Sequence, residues 1–260
     1  MHDFSKDLQT ALKAARAGAR IIYDNFEKLK DFQVKDHSKG LVTTTDLEAE
    51  KAIIAILKEQ SSYGILSEES GLLNKKHGPI WVVDPLDGTN NFARSLPFFA
   101  VSIGLMVSNE SMVGVIIDPI NKKEYSATKG GGAFLNGRKI ILPDFKDDYL
   151  PMIFLNHGYG QTDRSKFKKL SGLLASDFNI LKLGTTALEL CYISIGSVDG
   201  FIASGGEIWD FTAGVLIARE TGYTITDWQG EEWKSPDNNL LICRTEIHKK
   251  LINLINIQSS

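Results

Sequence analysis

An apolar run that ends directly in two aspartates is the feature that most restricts how this chain can fold. Residues 80–83 are typical of a buried strand, Asp84 follows at once, and Asp87 comes three residues later. Pro85 fixes the backbone between them, and Gly88 permits a tight turn directly afterwards. Two carboxylates held together at a strand end repel each other unless a cation lies between them. Oxygen ligands suit Mg²⁺, Mn²⁺ or Ca²⁺ better than zinc, so this segment predicts a divalent-cation site.

Acidic residues follow strands at other places in the chain as well. Glu68 comes after a short apolar strand, Asp210 comes after a glycine-rich turn and opens a helix, and Asp46 is predicted to cap another helix. Each of them alone is equally typical of an ordinary turn or helix cap. Four acidic sites at strand–helix junctions favour one shared metal centre. The backbone N–H groups of Gly88 and Thr89 begin a turn or helix, where phosphate binds readily, so the expected chemistry is phosphoryl transfer.

Composition and charge argue against several other classes of protein. The 29 basic and 32 acidic residues give a net charge of −3, so nucleic-acid binding is not indicated. The longest apolar run, residues 98–107, is shorter than the ~20 residues that a membrane span needs, and no secretory leader is visible. Cys191 and Cys243 are expected to be buried thiols rather than a disulfide. These features predict a soluble, cytoplasmic protein with no membrane partner.

The order of apolar patterns predicts an α+β first half and an α/β second half. Apolar residues at three- and four-residue steps predict a helix over about the first 30 residues, and residues 100–128 are typical of an antiparallel meander. After residue 142, strands alternate with helices, including helices at residues 186–195 and 211–221. We therefore expect layered sheets and helices in two halves. Residues 1–140 would carry most metal ligands, and residues 141–260 would carry Asp210 and the substrate-recognition segments.

Five short motifs follow one another in a specific order: Thr43-Thr44-Thr45-Asp46, Ser67-Glu68-Glu69-Ser70, Asp84-Pro85-Leu86-Asp87-Gly88-Thr89-Asn90-Asn91-Phe92, Gly184-Thr185-Thr186-Ala187 and Trp209-Asp210-Phe211-Thr212-Ala213-Gly214. Together they resemble the signatures of the inositol monophosphatase family of Mg²⁺-dependent, lithium-sensitive phosphatases, over nearly the whole chain. The resemblance implies the five-layered αβαβα sandwich of the inositol monophosphatase and fructose-1,6-bisphosphatase type, usually as a homodimer. It also implies a small phosphorylated metabolite as substrate and two or three Mg²⁺ ions per active site, with Mn²⁺ as a substitute.

The same resemblance implies which residues hold the metal ions. Glu68, Asp84 and the backbone carbonyl of Leu86 would hold a first ion. Asp84, Asp87 and Asp210 would hold a second, and a weaker third ion would lie near Glu68. Bound metal would supply a low-pKa water that attacks phosphorus and would stabilise the leaving alkoxide, so no protein nucleophile is expected.

Further roles are implied for residues around the metals. Thr89, paired with Asp46, would orient the attacking water, which makes these two residues catalytic together with Glu68. Phosphate and substrate would contact Asp87, Gly88, Thr89, Gly184, Thr185 and Asp210. Lys35 matches a family lysine near the metal site more loosely.

One position separates this chain from the inositol-specific members of the family. Those members have a substrate-binding glutamate where this chain has Ala203, and a methyl group accepts no hydrogen bond. Either Ser204 or Glu207 substitutes for it, or the substrate differs. Inositol monophosphate, fructose 1,6-bisphosphate and histidinol phosphate all stay open as substrates. A bisphosphate nucleotide is disfavoured by Asn90, because the bisphosphate nucleotidases usually have lysine there.

Two alternatives come from other classes of protein. The chain could be a regulatory or interaction protein on this fold, or a simple Mg²⁺- and anion-binding domain. The intact acidic motifs argue against lost catalysis. Residues 130–132 are three glycines that resemble a phosphate loop, but no Gly-Lys-Ser/Thr follows, so we expect a plain backbone bend there.

Overall fold

Two large sheets with helices between and outside them make up the fold in a computed structural model that describes residues 4–28, 32–36, 40–74, 78–146, 148–235, 237 and 239–257. The helices in these ranges are α1 (Ser5–Asn25), α2 (Thr44–Gln60), α3 (Thr89–Phe92), α4 (Gln161–Leu174), α5 (Thr186–Ser194), α6 (Ile208–Glu220) and α7 (Thr245–Asn256). The strands are β1 (Phe32–Asp36), β2 (Gly40–Thr43), β3 (Gly64–Ser67), β4 (Gly71–Leu73), β5 (Ile80–Asp87), β6 (Ala100–Val107), β7 (Glu110–Asp118), β8 (Lys123–Thr128), β9 (Gly132–Leu135), β10 (Arg138–Lys139), β11 (Met152–His157), β12 (Asn179–Leu181), β13 (Gly200–Ser204), β14 (Thr224–Thr226) and β15 (Asn239–Cys243).

The first sheet has eight strands in the order β10-β9-β8-β7-β6-β5-β3-β4. β5 pairs in parallel with β3 and antiparallel with β6. β6 to β8 form the meander that the sequence predicts, and β9 extends it by one strand. Helices α1 and α2 cover one face, where Ile22, Ile53 and Trp81 belong to one buried apolar cluster. Helices α5 and α6 cover the opposite face. Strands β1 and β2 form a separate two-stranded sheet.

The second sheet has five strands in the order β12-β11-β13-β15-β14. On one face, Phe154 and Phe201 pack with Leu190 of α5 and Val215 of α6. On the other face lie α4 and α7. The layers therefore run α1/α2, first sheet, α5/α6, second sheet, α4/α7, which confirms the five-layered αβαβα sandwich. The division at residue 140 stays a prediction, because α5 and α6 from the second half pack against both sheets.

Two glycines let α6 approach the first sheet closely. Gly104 of β6 and Gly114 of β7 are paired in the sheet register. A Cβ atom built on Gly104 would lie 2.3 Å from Thr212 Cγ2, and one built on Gly114 would lie 2.6 Å from the backbone oxygen of Ala213. Side chains at these positions would push the helix outward. The glycine pair thus sets the depth of α6, whose first turn carries Asp210.

The starts of α2 and α6 differ from the prediction in the same way. Thr43 is the N-cap of α2, and Asp46 is its third residue, where its carboxylate accepts the Thr43 N–H at 2.9 Å. Asp210 has the same place in α6 and accepts the N–H of Glu207, the N-cap, at 2.7 Å. The prediction that Asp46 is itself the cap is therefore wrong. Both aspartates sit at the far position of a capping box, which turns each carboxylate back toward the helix start.

None of the helices in the described ranges combines the length and apolar composition that a bilayer crossing requires. Cys191 and Cys243 are both buried and unpaired, as the sequence predicts. The first helix ends at Asn25, several residues before its predicted end.

Replacing Gly114 by alanine tests the close approach of α6. The new methyl group would meet the Ala213 carbonyl oxygen at 2.6 Å, so α6 must shift, and we expect the free energy of unfolding to fall by about 1–3 kcal/mol. Gly172→Ala is the control, because nothing lies within 4 Å of the added atom and alanine stabilises an unstrained helix by roughly 0.4–1 kcal/mol. Urea denaturation measures both changes. A loss in the control as large as in Gly114→Ala would contradict the packing explanation.

Candidate metal centre

A bulge in β5 brings two aspartates to the same side of the first sheet. In a regular strand, Asp84 and Asp87 would point to opposite faces because they are three residues apart. Their pairing with β6 is irregular, since Asp84 lies opposite Ser102 and Asp87 lies opposite Ala100. Asp87 is thus three residues beyond Asp84 on β5, whereas their partners on β6 are only two residues apart, so β5 contains one extra residue. The extra residue re-aims the side chains that follow it, so both carboxylates reach one cluster.

Asp84, Asp87 and Asp210 form this carboxylate cluster. One oxygen from each lies within 4.8 Å of the other two. Asp84 is 2% exposed, whereas Asp87 and Asp210 are half-buried. Two members come from β5 and the third from the first turn of α6, so the cluster joins the first sheet to the middle helical layer. Carboxylate oxygens at this spacing fit around a hard divalent cation.

Burial and mutual repulsion raise the pKa of all three carboxyl groups. The pKa of Asp84 lies well above its ordinary value, first because of burial and then because of the negative charges of Glu68, Asp87 and Asp210. Burial and the charge of Asp87 likewise hold the pKa of Asp210 well above its ordinary value. Burial raises the pKa of Asp87 to about 6, although a hydrogen bond from Thr185 opposes the rise. Ionising all three groups together therefore calls for a compensating cation.

Glu68 lies beside the carboxylate cluster, in the turn after β3. Its backbone N–H donates to the Val83 carbonyl at 3.1 Å, directly beside Asp84. Its carboxyl group shares a hydrogen bond with Asp84. Since β3 and β5 are parallel, their carboxyl ends meet at the same edge of the sheet, and both acidic motifs emerge there.

Asp46 and Thr89 are also brought together, as the sequence predicts. The hydroxyl of Thr89 lies 2.9 Å from Asp46 Oδ1 and 3.0 Å from the carbonyl oxygen of Leu86. Thr89 is 9% exposed and Asp46 is 0% exposed. Burial raises the pKa of Asp46, against hydrogen bonds from Thr43 and Thr89 that lower it.

Gly88 connects the end of β5 to α3 in a conformation that favours glycine. Its φ is 94°, in the left-handed region. A Cβ atom there would also lie 2.8 Å from the backbone oxygen of Phe98. Both the left-handed backbone conformation and the lack of space for a Cβ atom therefore favour glycine at this position, which directly precedes Thr89.

The start of α5 holds Asp87 in place. Asp87 Oδ2 accepts the Thr185 hydroxyl at 2.6 Å and the Ala187 N–H at 2.6 Å. Asp87 thus caps a helix that lies about a hundred residues away in sequence, and its other oxygen is left for the cluster. Gly184 precedes this start with a φ of 77°.

The sequence prediction gave no role to two residues that support the site. Glu189 is fully buried in α5, accepts the N–H of Leu183 at 2.6 Å and of Gly184 at 3.2 Å, and has its pKa raised by burial to about 8. Asn91 Nδ2 donates to the carbonyls of Phe98 at 2.8 Å and Leu183 at 2.9 Å. Together they fasten the segment before α5 to the turn after β5. A charged residue within an otherwise apolar helical run was a signal for Glu189.

Ala203, Ser204 and Glu207 lie between the end of β13 and the start of α6. Ala203 is 1% exposed and packs in the apolar core between α5, α6 and the second sheet. Ser204 is fully buried, and its hydroxyl donates to the Asp163 carbonyl at 3.0 Å, toward α4. Glu207 is exposed. Lys35 belongs to β1, but its side chain lies outside the described part of the chain.

The three glycines at residues 130–132 form the backbone bend that the sequence predicts. The N–H groups of Gly130 and Gly132 donate to the two carboxylate oxygens of Glu220, at 2.7 and 2.8 Å. Their partner is thus the C-terminal end of α6 rather than a phosphate group.

Comparison with known proteins agrees with this geometry. The sequence profile of the inositol monophosphatase family matches residues 3–259. The chain belongs to the inositol monophosphatase family. It is 34% identical over 253 residues to the protein named Nus factor SuhB of Pasteurella multocida, with 95% of each chain covered. Family members depend on metal, and the carboxylate cluster is a suitable place to bind it.

Solved structures of family members share the fold. The extragenic suppressor protein suhB of Bartonella henselae matches with a TM-score of 0.87 and 30% identity, covering 95% of this chain and 97% of that one. The IMPase of Thermotoga maritima matches with a TM-score of 0.86 and 26% identity, covering 96% and 97%.

Asp210→Asn should stabilise this inositol monophosphatase family member when no metal is bound. Asparagine removes one charge from the cluster, and its amide oxygen still accepts the Glu207 N–H. In EDTA at neutral pH we expect the melting temperature to rise by a few degrees, since about 1 kcal/mol shifts it by roughly 2–4 °C in a domain near this size. Mg²⁺ should raise the melting temperature of the wild type but not of the variant. Differential scanning fluorimetry measures both effects.

The pH dependence of this difference has a definite sign. A carboxyl group with a raised folded-state pKa contributes stability that is present below its unfolded pKa and lost as pH rises through the folded value. For Asp210 this window begins at the ordinary pKa of 3.8 and ends well above it, because burial and the charge of Asp87 raise the folded-state pKa. Metal-free wild type should therefore lose stability relative to Asp210→Asn as pH rises through this window. A variant that melts below the wild type in EDTA above the window would contradict the repulsion argument.

Proposed function

We propose that this chain is a Mg²⁺-dependent phosphatase that hydrolyses a small phosphate monoester in the manner of inositol-1-monophosphatases. The observation that carries the proposal is the convergence of Asp84, Asp87 and Asp210, with oxygens within 4.8 Å of one another. Glu68 and the Thr89–Asp46 pair border the same cluster. The name of the Thermotoga maritima relative, IMPase, supports the same reaction class.

Asp84, Asp87 and Asp210, with Glu68 and the carbonyl of Leu86, would hold two or three Mg²⁺ ions. When bound, the ions supply Lewis-acid charge and lower the pKa of water. Ligands that are all oxygen atoms select Mg²⁺ or Mn²⁺ over softer metals.

Thr89 and Asp46 would orient and deprotonate the attacking water. The Thr89 hydroxyl donates its proton to Asp46 Oδ1 at 2.9 Å, which leaves the lone pairs of Thr89 Oγ1 to accept a water proton. The raised pKa of Asp46, caused mainly by burial, suits a group that takes up a proton during the reaction. The N–H groups of Gly88 and Thr89 would bind the phosphate oxygens. Thr185 acts through Asp87, because its hydroxyl donates to that carboxylate.

The rest of the substrate would meet the side of the site beyond Asp210. The turn Gly205-Gly206 separates two carboxylates: a Cβ on Gly205 would lie 2.5 Å from Asp163 Oδ2, and one on Gly206 would lie 3.3 Å from Asp210 Oδ2. Asp163 therefore offers an acceptor to a substrate hydroxyl in place of Ala203. We propose a hydroxylated monophosphate such as inositol 1-phosphate. Fructose 1,6-bisphosphate is the second candidate, because the positive charge of Lys182 acts on His157, whose neighbour Gly158 lies against Gly205.

A phosphomonoester panel tests the proposal. With Mg²⁺, phosphate release should be greatest from polyol and sugar phosphates, should stop in EDTA and should be inhibited by Li⁺. Asp87→Asn and Asp210→Asn should lower turnover by more than about a hundredfold, because even the loss of a residue that only supports a ligand lowers activity by about 10–100-fold. Circular dichroism confirms that the variants are folded. Release that is unaffected by EDTA, or near-wild-type rates in either variant, would rule out the metal mechanism.

The name Nus factor SuhB, carried by the Pasteurella multocida relative, favours a second candidate function in gene regulation. Such a role would use the surface of the fold rather than the carboxylate cluster. Complementation of a deletion strain separates the two functions. If phosphatase activity is the cellular role, Asp210→Asn should fail to restore the wild-type phenotype, whereas restoration as complete as with the wild-type chain would assign the cellular role to regulation. We also propose a cytoplasmic homodimer, and sedimentation equilibrium tests the dimer.

A further inference from the structure

Helix α2 presents two buried acidic side chains on one face. Asp46 and Glu50 are four residues apart, so they lie one above the other along the helix. Asp46 is 0% exposed and Glu50 is 4% exposed. Asp46 binds Thr89 in the turn after β5. The catalytic arrangement described above gives no role to Glu50.

Glu50 binds the turn between β3 and β4, which carries Glu68. Its Oε1 accepts hydrogen bonds from the Ser67 hydroxyl and, at 3.0 Å, from the Ser70 N–H. Its Oε2 accepts the Ser70 hydroxyl at 2.5 Å. The two serines stand on either side of Glu68 and Glu69. One buried carboxylate therefore closes the turn from both ends, and all three donors are directed at it.

The turn needs such a fastening because of the charge it carries. The Glu68 backbone is tied to the sheet through its N–H bond to Val83. Its carboxyl group lies against Asp84, whose negative charge repels it when both are ionised. The turn follows the C-terminal end of β3. It could relieve this repulsion by moving away from Asp84. The bonds to Glu50 oppose that movement.

We propose that Glu50 is a positioning residue of the metal centre, which holds the Ser67–Ser70 turn so that Glu68 stays beside Asp84 before metal binds. This inference rests on the proposed function, since it assigns Glu50 a role in binding Mg²⁺. Glu50 acts through the turn and touches neither metal nor substrate. Its Oε1 already accepts two hydrogen bonds and its Oε2 accepts a third. Truncating Glu50 therefore releases the turn, whereas replacing it by the isosteric amide keeps an oxygen facing two of the three donors.

Mg²⁺ titration by isothermal calorimetry tests the proposal on the full-length, metal-free protein. Glu50→Ala should weaken Mg²⁺ binding by about 10–100-fold, as expected for a group that orients a ligand. Glu50→Gln should bind Mg²⁺ nearly as tightly as the wild type, because the amide oxygen still accepts hydrogen bonds from the Ser67 hydroxyl and the Ser70 N–H. Turnover at saturating Mg²⁺ should stay close to wild type in both variants, with only the Mg²⁺ concentration for half-maximal activity raised.

Asp199→Ala is the matched control for lost stability. Asp199 is 4% exposed and accepts the Met152 N–H at 3.0 Å, so it too is a buried acid that holds backbone. It precedes β13, at the opposite end of that strand from Ser204 and the cluster. Asp199→Ala should lower the melting temperature without changing Mg²⁺ affinity. If Glu50→Ala does not fold, Ser70→Ala takes its place. Ser70 is exposed, and its replacement removes one of the three hydrogen bonds to Glu50, so Mg²⁺ binding should also weaken.

The outcomes separate the two proposals. A wild-type isotherm without Mg²⁺ binding overturns the proposed function and this inference with it. If the wild type binds Mg²⁺ and Glu50→Ala binds it with unchanged affinity, the inference alone is overturned. Where Glu50→Ala does not fold, unchanged Mg²⁺ affinity in Ser70→Ala overturns it in the same way. Equal weakening in Glu50→Gln and Glu50→Ala also overturns it, because the charge of Glu50 would then matter rather than its hold on the turn. Weakening in Glu50→Ala or Ser70→Ala, with recovery in Glu50→Gln and none in Asp199→Ala, supports it.

Discussion

Repulsion among carboxylates is the interaction on which the rest of this structure depends. Asp84, Asp87 and Asp210 would separate if nothing restrained them, and their pKa values are raised first by burial and then by neighbouring negative charges. Backbone or hydroxyl donors restrain each of them, and Asp84 accepts the N–H of Leu86 in its own strand at 3.0 Å. Asp87 is held by the start of α5, and Asp210 by the N–H of Glu207. These hydrogen bonds hold the carboxylates close together. Each carboxylate still offers one oxygen to a cation.

The elements that carry the three carboxylates, β5 and α6, come from distant parts of the chain, and tight packing brings them together. Gly104 and Gly114 admit α6 to the first sheet, and the depth of this contact determines where Asp210 ends. Asn91 bridges the segment after β5 and the segment before α5. A displacement of α6 by the width of one methyl group would therefore move Asp210 and change the metal site, although neither glycine is a ligand.

Much of this arrangement could be predicted from the sequence because the signals were local. The apolar run before Asp84 predicted β5, the meander followed from alternating residues, and the motifs pointed to Glu68, Asp87, Thr89 and Asp210. The sequence could not show which side of the sheet each carboxylate takes, because the bulge between Asp84 and Asp87 depends on pairing with β6. It also could not show that Asp87 caps α5, or that Ser204 turns toward α4, since both depend on contacts between remote segments.

Helices α5 and α6 form a layer that belongs to both sheets at once. Leu190 and Val215 pack against the second sheet, while Leu188 and Leu216 pack with residues of the first. Neither sheet can lose its partner helices without exposing apolar surface on the other, so we expect the two halves to unfold together in a single transition. A chain truncated near residue 140 would leave the first sheet bare on one face, as an aggregation-prone fragment and not as an autonomous module.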